Sequence, residues 1–346
     1  MADVEMERSR WLASTFREGV RKRPSMFVGD TGHRGLHNIV DDILTNTLAS
    51  GCAKSVAVRL AEDGSITISD DGLNLPAPLE EWLTNPSPDF SRPQRDPVWR
   101  MWAFAIANAL SKHFRIEAQG VIQEFQAGAP ARPPIKTERD CQSGICVSFK
   151  PDPVIFSETQ ISSVALRRRL EELSLLHSGV KISFDDKSSA TTEEFQFSCG
   201  IQQFVKNLNR DRIPLHDVIM VEGEAKGIDF EVGIQFCNKP DEVIRSYVND
   251  RYCPDRGTHV TGVRIGLTRA LKKAVIGQQK LSAKDKGLTA VISIRMDAPQ
   301  FMGACRSSLA TPVARTVLAS HVGTQLTEYF STNPDVARAI VQTGNT

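Results

Sequence analysis

The sequence has no Cys-x-x-Cys pair, no apolar run approaching the length of a bilayer, and no excess of either charge. It also has no glycine between Gly72 and Gly120. Each absence excludes something. The seven cysteines (Cys52, Cys141, Cys146, Cys199, Cys237, Cys253 and Cys305) are odd in number and lack metal-ligand spacing. That argues against a disulfide framework or a structural zinc site and favours a reducing, cytoplasmic setting. The N-terminal "MADVEMERSRWLAS" is too charged for a signal peptide, and no segment offers the roughly 20 apolar residues of a membrane span, so no membrane partner is expected. With 42 Lys+Arg against 41 Asp+Glu the net charge is +1, so any contact with nucleic acid must be local. Internal repeats and low-complexity segments are absent as well.

What is present fits two domains, since the chain has 346 residues and domains hold roughly 100–200. Leu36, Ile39, Val40, Ile43, Leu44 and Leu48 repeat at helical spacing and predict an amphipathic helix. Asn38, Asp42 and Asn46 share a stripe on its opposite side, with Asp41 and Thr45 alongside. "KSVAVRLAEDGSITISDDG" reads as a hairpin turning at Asp63-Gly64, whose second strand delivers Asp70 and Asp71 to a glycine turn. Pro76 to Pro97 reads as a surface loop, and "WRMWAFAIANALSKHF" as a buried helix. Strands around "IEAQG", "EFQAG" and "GICVSFKPD" follow, then a helix stopping at Gly179. A second compositional unit begins near Cys199, with strands "DVIMVEGEA", "GIDFEVGIQF" and "LTAVISIRM" and a helix running through Leu271.

Six segments in this order carry a resemblance: "VRKRPSMFVGDTG" with "GLHNIV", "GSITISDDGLNLP", "RRLEELSLLHSGVKI", "CGIQQFVKNLN", "DRGTHVTGVRIGLTRAL" and "KGLTAVISIRMDAPQF". Together they resemble the ATPase half of bacterial DNA gyrase B and its topoisomerase IV counterpart, in the GHKL (Bergerat-fold) superfamily. The resemblance spans about Arg17 to Pro334. It implies an α+β fold: a GHKL (Bergerat) α/β sandwich followed by a ribosomal-protein-S5-domain-2-like transducer domain. The expected borders are an N-terminal arm over 1–15, the ATPase-like domain over 16–212 and the transducer over 213–346, without the TOPRIM and DNA-cleavage parts of a full gyrase.

Residue by residue, the resemblance places Asp42 where relatives carry a Glu general base, one methylene, or about 1.5 Å, short of that reach. Asn46 stands at the Mg²⁺ ligand, an acceptable hard oxygen. His37 is kept, while Asn38 replaces a neighbouring His that orients water. Asp70, followed by Asp71 and Gly72, corresponds to the acceptor of the adenine amino group. The family's "GRGIP" reads "GLNLP", so Leu73 and Asn74 replace an Arg and a Gly. The glycine-rich lid, whose bare N–H groups cradle phosphate, reads "DPVWRMWAFAIANALS". The transducer's Gln-Thr-Lys loop becomes Ala304, Cys305 and Arg306, and Arg306 keeps the charge that reaches the γ-phosphate.

Plainer readings stand beside these. Asp42 and Asn46 also fit a solvated helix face, Asp70-Asp71-Gly72 a simple turn, and His37 a structural histidine. Trp99, Trp102 and Phe104 read as core, with an aromatic partner surface as the alternative. Arg17, Arg21, Lys22 and Arg23 belong to the fold, and Arg167, Arg168 and Arg169 with Glu171 and Glu172 form an ion-paired surface. Arg251, Arg256, Arg264 and Arg269 are candidates for a DNA-facing cavity. Four departures in one site lead to the expectation of a stand-alone, homodimeric pseudo-ATPase, a scaffold or regulator of a protein partner, with ATP and Mg²⁺ held weakly or not at all. The alternative is an active ATPase subunit of topoisomerase type that closes on DNA.

Overall fold

A computed structural model describes residues 16–49, 51–72, 78–86, 97–137, 144–275, 286–302 and 306–344, with 97–100 and 343–344 described as backbone alone. The arm over 1–15, Leu73, Asn74, the Trp99 side chain, Cys141, Ala304 and Cys305 lie outside the described residues. The chain divides into two compact units, Met1–Ser198 and Cys199–Thr346.

In the first unit, α1 (helical over 16–22) and α2 (Ser25–Val28) lead into α3 (His33–Ala49). The apolar repeat of α3 is buried, from Leu36 through Ile39, Val40, Ile43 and Leu44 to Leu48. β1 (Ser55–Leu60) and β2 (Ile66–Asp70) pair antiparallel across a turn in which Ala61 N donates to Ser65 O at 2.9 Å. Next come α4 (Leu79–Thr84), α5 (Pro97–Ala109), β3 (Ser111–Ala118), β4 (Val121–Gln126), β5 (Ala129–Pro130), β6 (Ile135–Lys136) and β7 (Ile145–Pro151). α6 (Ser163–Leu176), β8 (Lys181–Asp186) and β9 (Thr191–Phe195) complete the unit.

The sheet order is β5-β4-β3-β7-β2-β1-β8-β9, with β6 against β4 and β1 parallel to β8. Alternation makes this a two-layer sandwich. Val56, Val58, Ile66, Ile68, Val147, Phe149, Ile182 and Phe184 turn inward, whereas Ala57 and Arg59 are exposed. Buried Asp186, ending β8, accepts from Ser188 N at 2.9 Å, from both the Ser188 and Ser189 hydroxyls at 2.7 Å, and from Ser163 Oγ, which ties α6 to the sheet.

Two expectations change here. The predicted helix through "SKHF" stops at Ala109, because Ser111–Ala118 pairs with β7 instead, and buried Ser111 Oγ closes the turn on Ala107 O. Within the predicted loop from Pro76 to Pro97, α4 forms where Leu79 and Leu83, one turn apart, both find the core.

The second unit holds α7 (Gly200–Leu208), β10 (Ile219–Ala225), β11 (Ile228–Phe236), β12 (Val243–Val248), β13 (Arg251–Tyr252), α8 (Thr258–Ala274), β14 (Leu288–Met296), α9 (Pro312–Thr332) and α10 (Pro334–Gly344). Its sheet runs β10-β11-β14-β12-β13. One face of β11 presents Gly233 and Gln235: Ile201 and Val205 of α7 pack over Gly233, and Asn209 donates to Gln235 at 2.8 Å. The other face presents Phe230, whose ring lies 5.4 Å from His321 of α9. α7 packs on this sheet and belongs to the second compact unit, which begins at Cys199. α8 and α9 meet closely at Gly262, Gly266 and Gly323. Among the described residues no helix is long and apolar enough to cross a membrane.

His259, in the first turn of α8, is fully buried, and neither ring nitrogen has a hydrogen-bond partner among the described residues. Burial pushes its pKa down to about 4. The unfolded chain then binds the extra proton first, so this contribution to stability is complete above the unfolded value near 6.5 and falls as pH drops toward 4. By pH 5 the loss should reach about 2 kcal/mol. Denaturant titrations of wild type and His259→Leu between pH 7 and pH 4 should differ by that slope; parallel curves would show that the ring is solvated.

Candidate functional site

Asp70 ends β2 with one carboxylate oxygen accepting from Gly72 N at 2.9 Å, which fixes the turn. Next to it, Asp71 Oδ1 accepts from Lys54 N at 2.8 Å and Ser55 N at 3.0 Å and clamps the start of β1. Gly144, with φ of +88°, passes over this turn so closely that a Cβ would stand 2.0 Å from the Asp70 carbonyl oxygen. Ile145 is the residue paired with Asp70 across the β2–β7 ladder and is buried, so an apolar wall flanks the carboxylate. Gly144 and Ile145 read in the sequence only as the start of a strand. The one available signal is a glycine opening a buried run.

The α3 stripe is used differently from end to end. Asp30 Oδ1 accepts from Gly32 N at 2.9 Å and Gly35 N at 2.8 Å and holds the loop entering the helix. His37 Nε2 accepts at 3.1 Å from the backbone N–H of Ser162, the N-cap of α6. Its pKa falls to about 4, first through burial and then through His33, whose ring centroid is 4.4 Å away, with Asp41 pulling the other way. A neutral ring with that lone pair engaged acts as a strut between α3 and α6.

Asn38 donates to Val28 O at 2.8 Å and pins the end of α2. Asp41 meets Arg169 Nε at 2.5 Å, and Arg169 also reaches Glu172 at 3.5 Å, so a second contact joins α3 to α6. Asp42 and Asn46 share one face and are half-buried. Asn46 turns its amide nitrogen back on Asp42 O at 2.6 Å, which leaves its oxygen as the end directed away from that bond. Met101 and Phe104 of α5 are core, and Trp102 packs 5.3 Å from Phe16.

Arg21 donates to Ala109 O at 2.9 Å, where α5 ends, and to Asp152 at 2.5 Å, so the "VRKRP" segment serves the fold. In the second unit, Arg306 is half-buried at φ 51°, and burial draws its guanidinium below the usual value. No carboxylate among the described residues pairs with it. Cys253 Sγ donates to its carbonyl at 3.7 Å. Arg256 and Arg264 both reach Glu242, the first at 2.8 Å.

The second unit carries the match to a known family: the family model for DNA gyrase B fits residues 200–345. Over 94% of its length the chain is 32% identical to the DNA gyrase B protein of Haloferax volcanii, covering 56% of that protein. The chain is similar to gyrase B proteins along nearly its whole length. It is also 31% identical to the type 2 topoisomerase B-subunit of Aquifex aeolicus, over 94% of this chain and 45% of that one. The chain thus spans about half the length of the curated relatives it matches.

Among solved structures, the 43K ATPase domain of Thermus thermophilus gyrase B, in complex with an aminocoumarin, aligns with TM-score 0.78 and 28% identity, covering 95% of this chain and 93% of that one. The gyrase B-subunit of Myxococcus xanthus aligns with TM-score 0.83 and 25% identity, covering 95% and 99%. The GHKL sandwich and transducer architecture is therefore that of gyrase B ATPase regions.

A gyrase-B-like fold implies ATP and Mg²⁺, and the residues present fit them unevenly. The braced carboxylate of Asp70 suits a base N–H. For the metal, Asn46 offers one neutral oxygen, and no group of three or more His, Cys, Asp or Glu among the described residues could hold an ion. For the phosphates, the fit fails on the glycine-free stretch from Leu73 to Gln119.

Proposed function

We propose that this gyrase-B-like chain is a pseudo-ATPase, a cytoplasmic, dimeric scaffold or regulatory protein built on the ATPase region of a type IIA topoisomerase. The observation that carries this reading is the glycine-free stretch across the segment where phosphates need bare backbone N–H groups. Two engaged side chains support it: His37 accepts from Ser162 and Asn38 donates to Val28, so each has one polar end already used by the fold. Asp42 itself is the shorter acid, and positioning errors of an ångström cost about 100-fold in rate.

A second reading, an active ATPase subunit, draws on Arg306, a cation without a carboxylate partner among the described residues, and on Asp42 and Asn46 sharing one face. In that reading Asp42 is the base, Asn46 the Mg²⁺ ligand, Asp70 the adenine acceptor and Arg306 the phosphate sensor. A DNA-binding role has less support. Glu242 offsets Arg256 and Arg264.

Phosphate release from Mg-ATP, followed beside light scattering, tests the reading. Turnover should stay at the level of an Asp42→Ala control, and the mass should not respond to nucleotide. Turnover that Asp42→Ala abolishes, with a mass that doubles on adding a non-hydrolysable analogue, would establish the active enzyme instead.

A further inference from the structure

β10 and β11 pair from Ile219 opposite Ile234, so the last residues of β11 lie beyond the start of β10. The connection from α7 takes over that edge. Pro214 bridges Cys237, Leu215 N donates to Phe236 O at 2.8 Å, and Ile213 exchanges bonds with Asn238 at 3.0 and 3.1 Å. The Phe236 N–H is met differently, by a side chain: His216 Nε2 accepts from it at 3.0 Å. In a continued ladder a backbone carbonyl would stand there. An imidazole can take that place only while Nε2 carries no proton.

The ring is held for this task. With Nε2 accepting, the proton sits on Nδ1, which donates to Asp217 O at 2.6 Å. The His216 carbonyl accepts from Gln235 Nε2 at 2.8 Å, Gln235 Oε1 from Asn209 at 2.8 Å, and Asn209 Oδ1 from Thr289 at 2.7 Å. Asn209 is the C-cap of α7, so one run of hydrogen bonds ties the ring to the helix, to β11 and to β14.

Protonation would strike that run at one atom. A proton on Nε2 points at the Phe236 N–H, so two donors face each other and a backbone N–H loses its acceptor. Burial draws the ring's pKa below its ordinary value of 6.5, against the opposing pull of the Asp217 carbonyl and carboxylate. Beyond Asp217, α9 brings Tyr329, whose phenol is raised by burial and by Asp217, and the edge of β11 leads to Cys237, raised by burial and opposed by Arg212. α7, β11 and β14 contribute the uncharged Asn209, Gln235 and Thr289. The neutral contact is therefore at full strength above pH 6.5 and weakens as pH falls below it, because the open form takes up the proton first.

We propose that His216 is a proton-operated clasp: neutral, it closes the 209–217 connection on β11, and protonated it releases that connection together with α7. Every group involved belongs to the second unit, so the inference is independent of the nucleotide reading.

Hydrogen exchange of the full chain at pH 7.5 and pH 5, corrected for the intrinsic pH dependence of exchange, provides the test. Amides of β14, the strand between β11 and β12, report opening of the whole unit, to which His259 contributes. Protection at Phe236 and over 201–217 should fall by about 5–30-fold more than at β14. His216→Gln, whose amide oxygen accepts at any pH, should stay within about fivefold of wild type at pH 7.5 and lose the excess at pH 5. Ring-nitrogen NMR shifts of the unaltered protein at pH 7.5 should place the proton on Nδ1, a readout that requires no variant to fold. A proton on Nε2, an excess missing from wild type, or one that persists in His216→Gln would each overturn the proposal.

Discussion

Gly144→Ala should lower the stability of the first unit by about 4 kcal/mol and abolish any ligand binding at Asp70. Two costs add. A residue with a Cβ held at φ +88° gives up about 1–2 kcal/mol. The new carbon would also sit 2.0 Å from the Asp70 carbonyl oxygen, a backbone atom with a ladder partner in Ile145, so relief requires moving β2 against β7. A control separates the costs. Gly179, at φ +85° with nothing within 4 Å, carries the conformational cost alone, so Gly179→Ala should lose only about 1–2 kcal/mol. Hydrogen exchange resolved to β2 and β7 reads both variants. Equal losses would mean the Asp70 turn yields freely and is not braced.

The second large effect belongs to the α8–α9 contact. A Cβ on Gly266 would lie 2.8 Å from Gly323 N and 3.0 Å from Val322 Cβ, while one on Gly323 meets nothing closer than 3.4 Å. The two glycines face each other, yet only one is sterically required. Gly266→Val should cost about 4 kcal/mol, because the helices must separate along their length and Phe230 and its neighbours lose cover. Gly323→Ala should fall within about 1 kcal/mol of wild type and on the stabilising side, since alanine is the better helix residue. Exchange rates of amides in residues 199–346 distinguish the two, because a two-unit chain need not unfold in one step. Equal sensitivity at both positions would show that the helices are more loosely seated than these distances state.

Much of this architecture was legible from local pattern. The α3 repeat, the hairpin at Asp63-Gly64 and strand β14 follow from period and turn chemistry, and they stand where spacing places them. The "SKHF" segment misleads because an apolar helix runs directly into a strand with no glycine or proline between, and only pairing with β7 ends the helix. α4 hides in a Pro-rich, charged stretch because its signal is two leucines.

At the site, spacing brings Asn38, Asp42 and Asn46 to one stripe, but it cannot say that Asn38 turns toward Val28 or that Asn46 folds back on its own helix. Nor could it find Arg169 as the partner of Asp41, since that pair is separated by most of the first unit's sequence. Gly144 escapes for the same reason: its neighbour Asp70 is near only after β2 and β7 have paired.

The contacts of α3 carry a consequence for descent. Asn38 holds Val28, His37 holds Ser162 and Asp41 holds Arg169, so within little more than one helical turn three polar side chains have become fastenings. A glutamate at position 42 would add one carbon to a face whose neighbours already hold the fold. Each fastening now contributes to holding α3 in place, so freeing it for another task would loosen the fold before any new activity could be selected. A helix anchored in this way constrains what its polar face can become, because each exchange there is first an exchange of a contact that holds the fold.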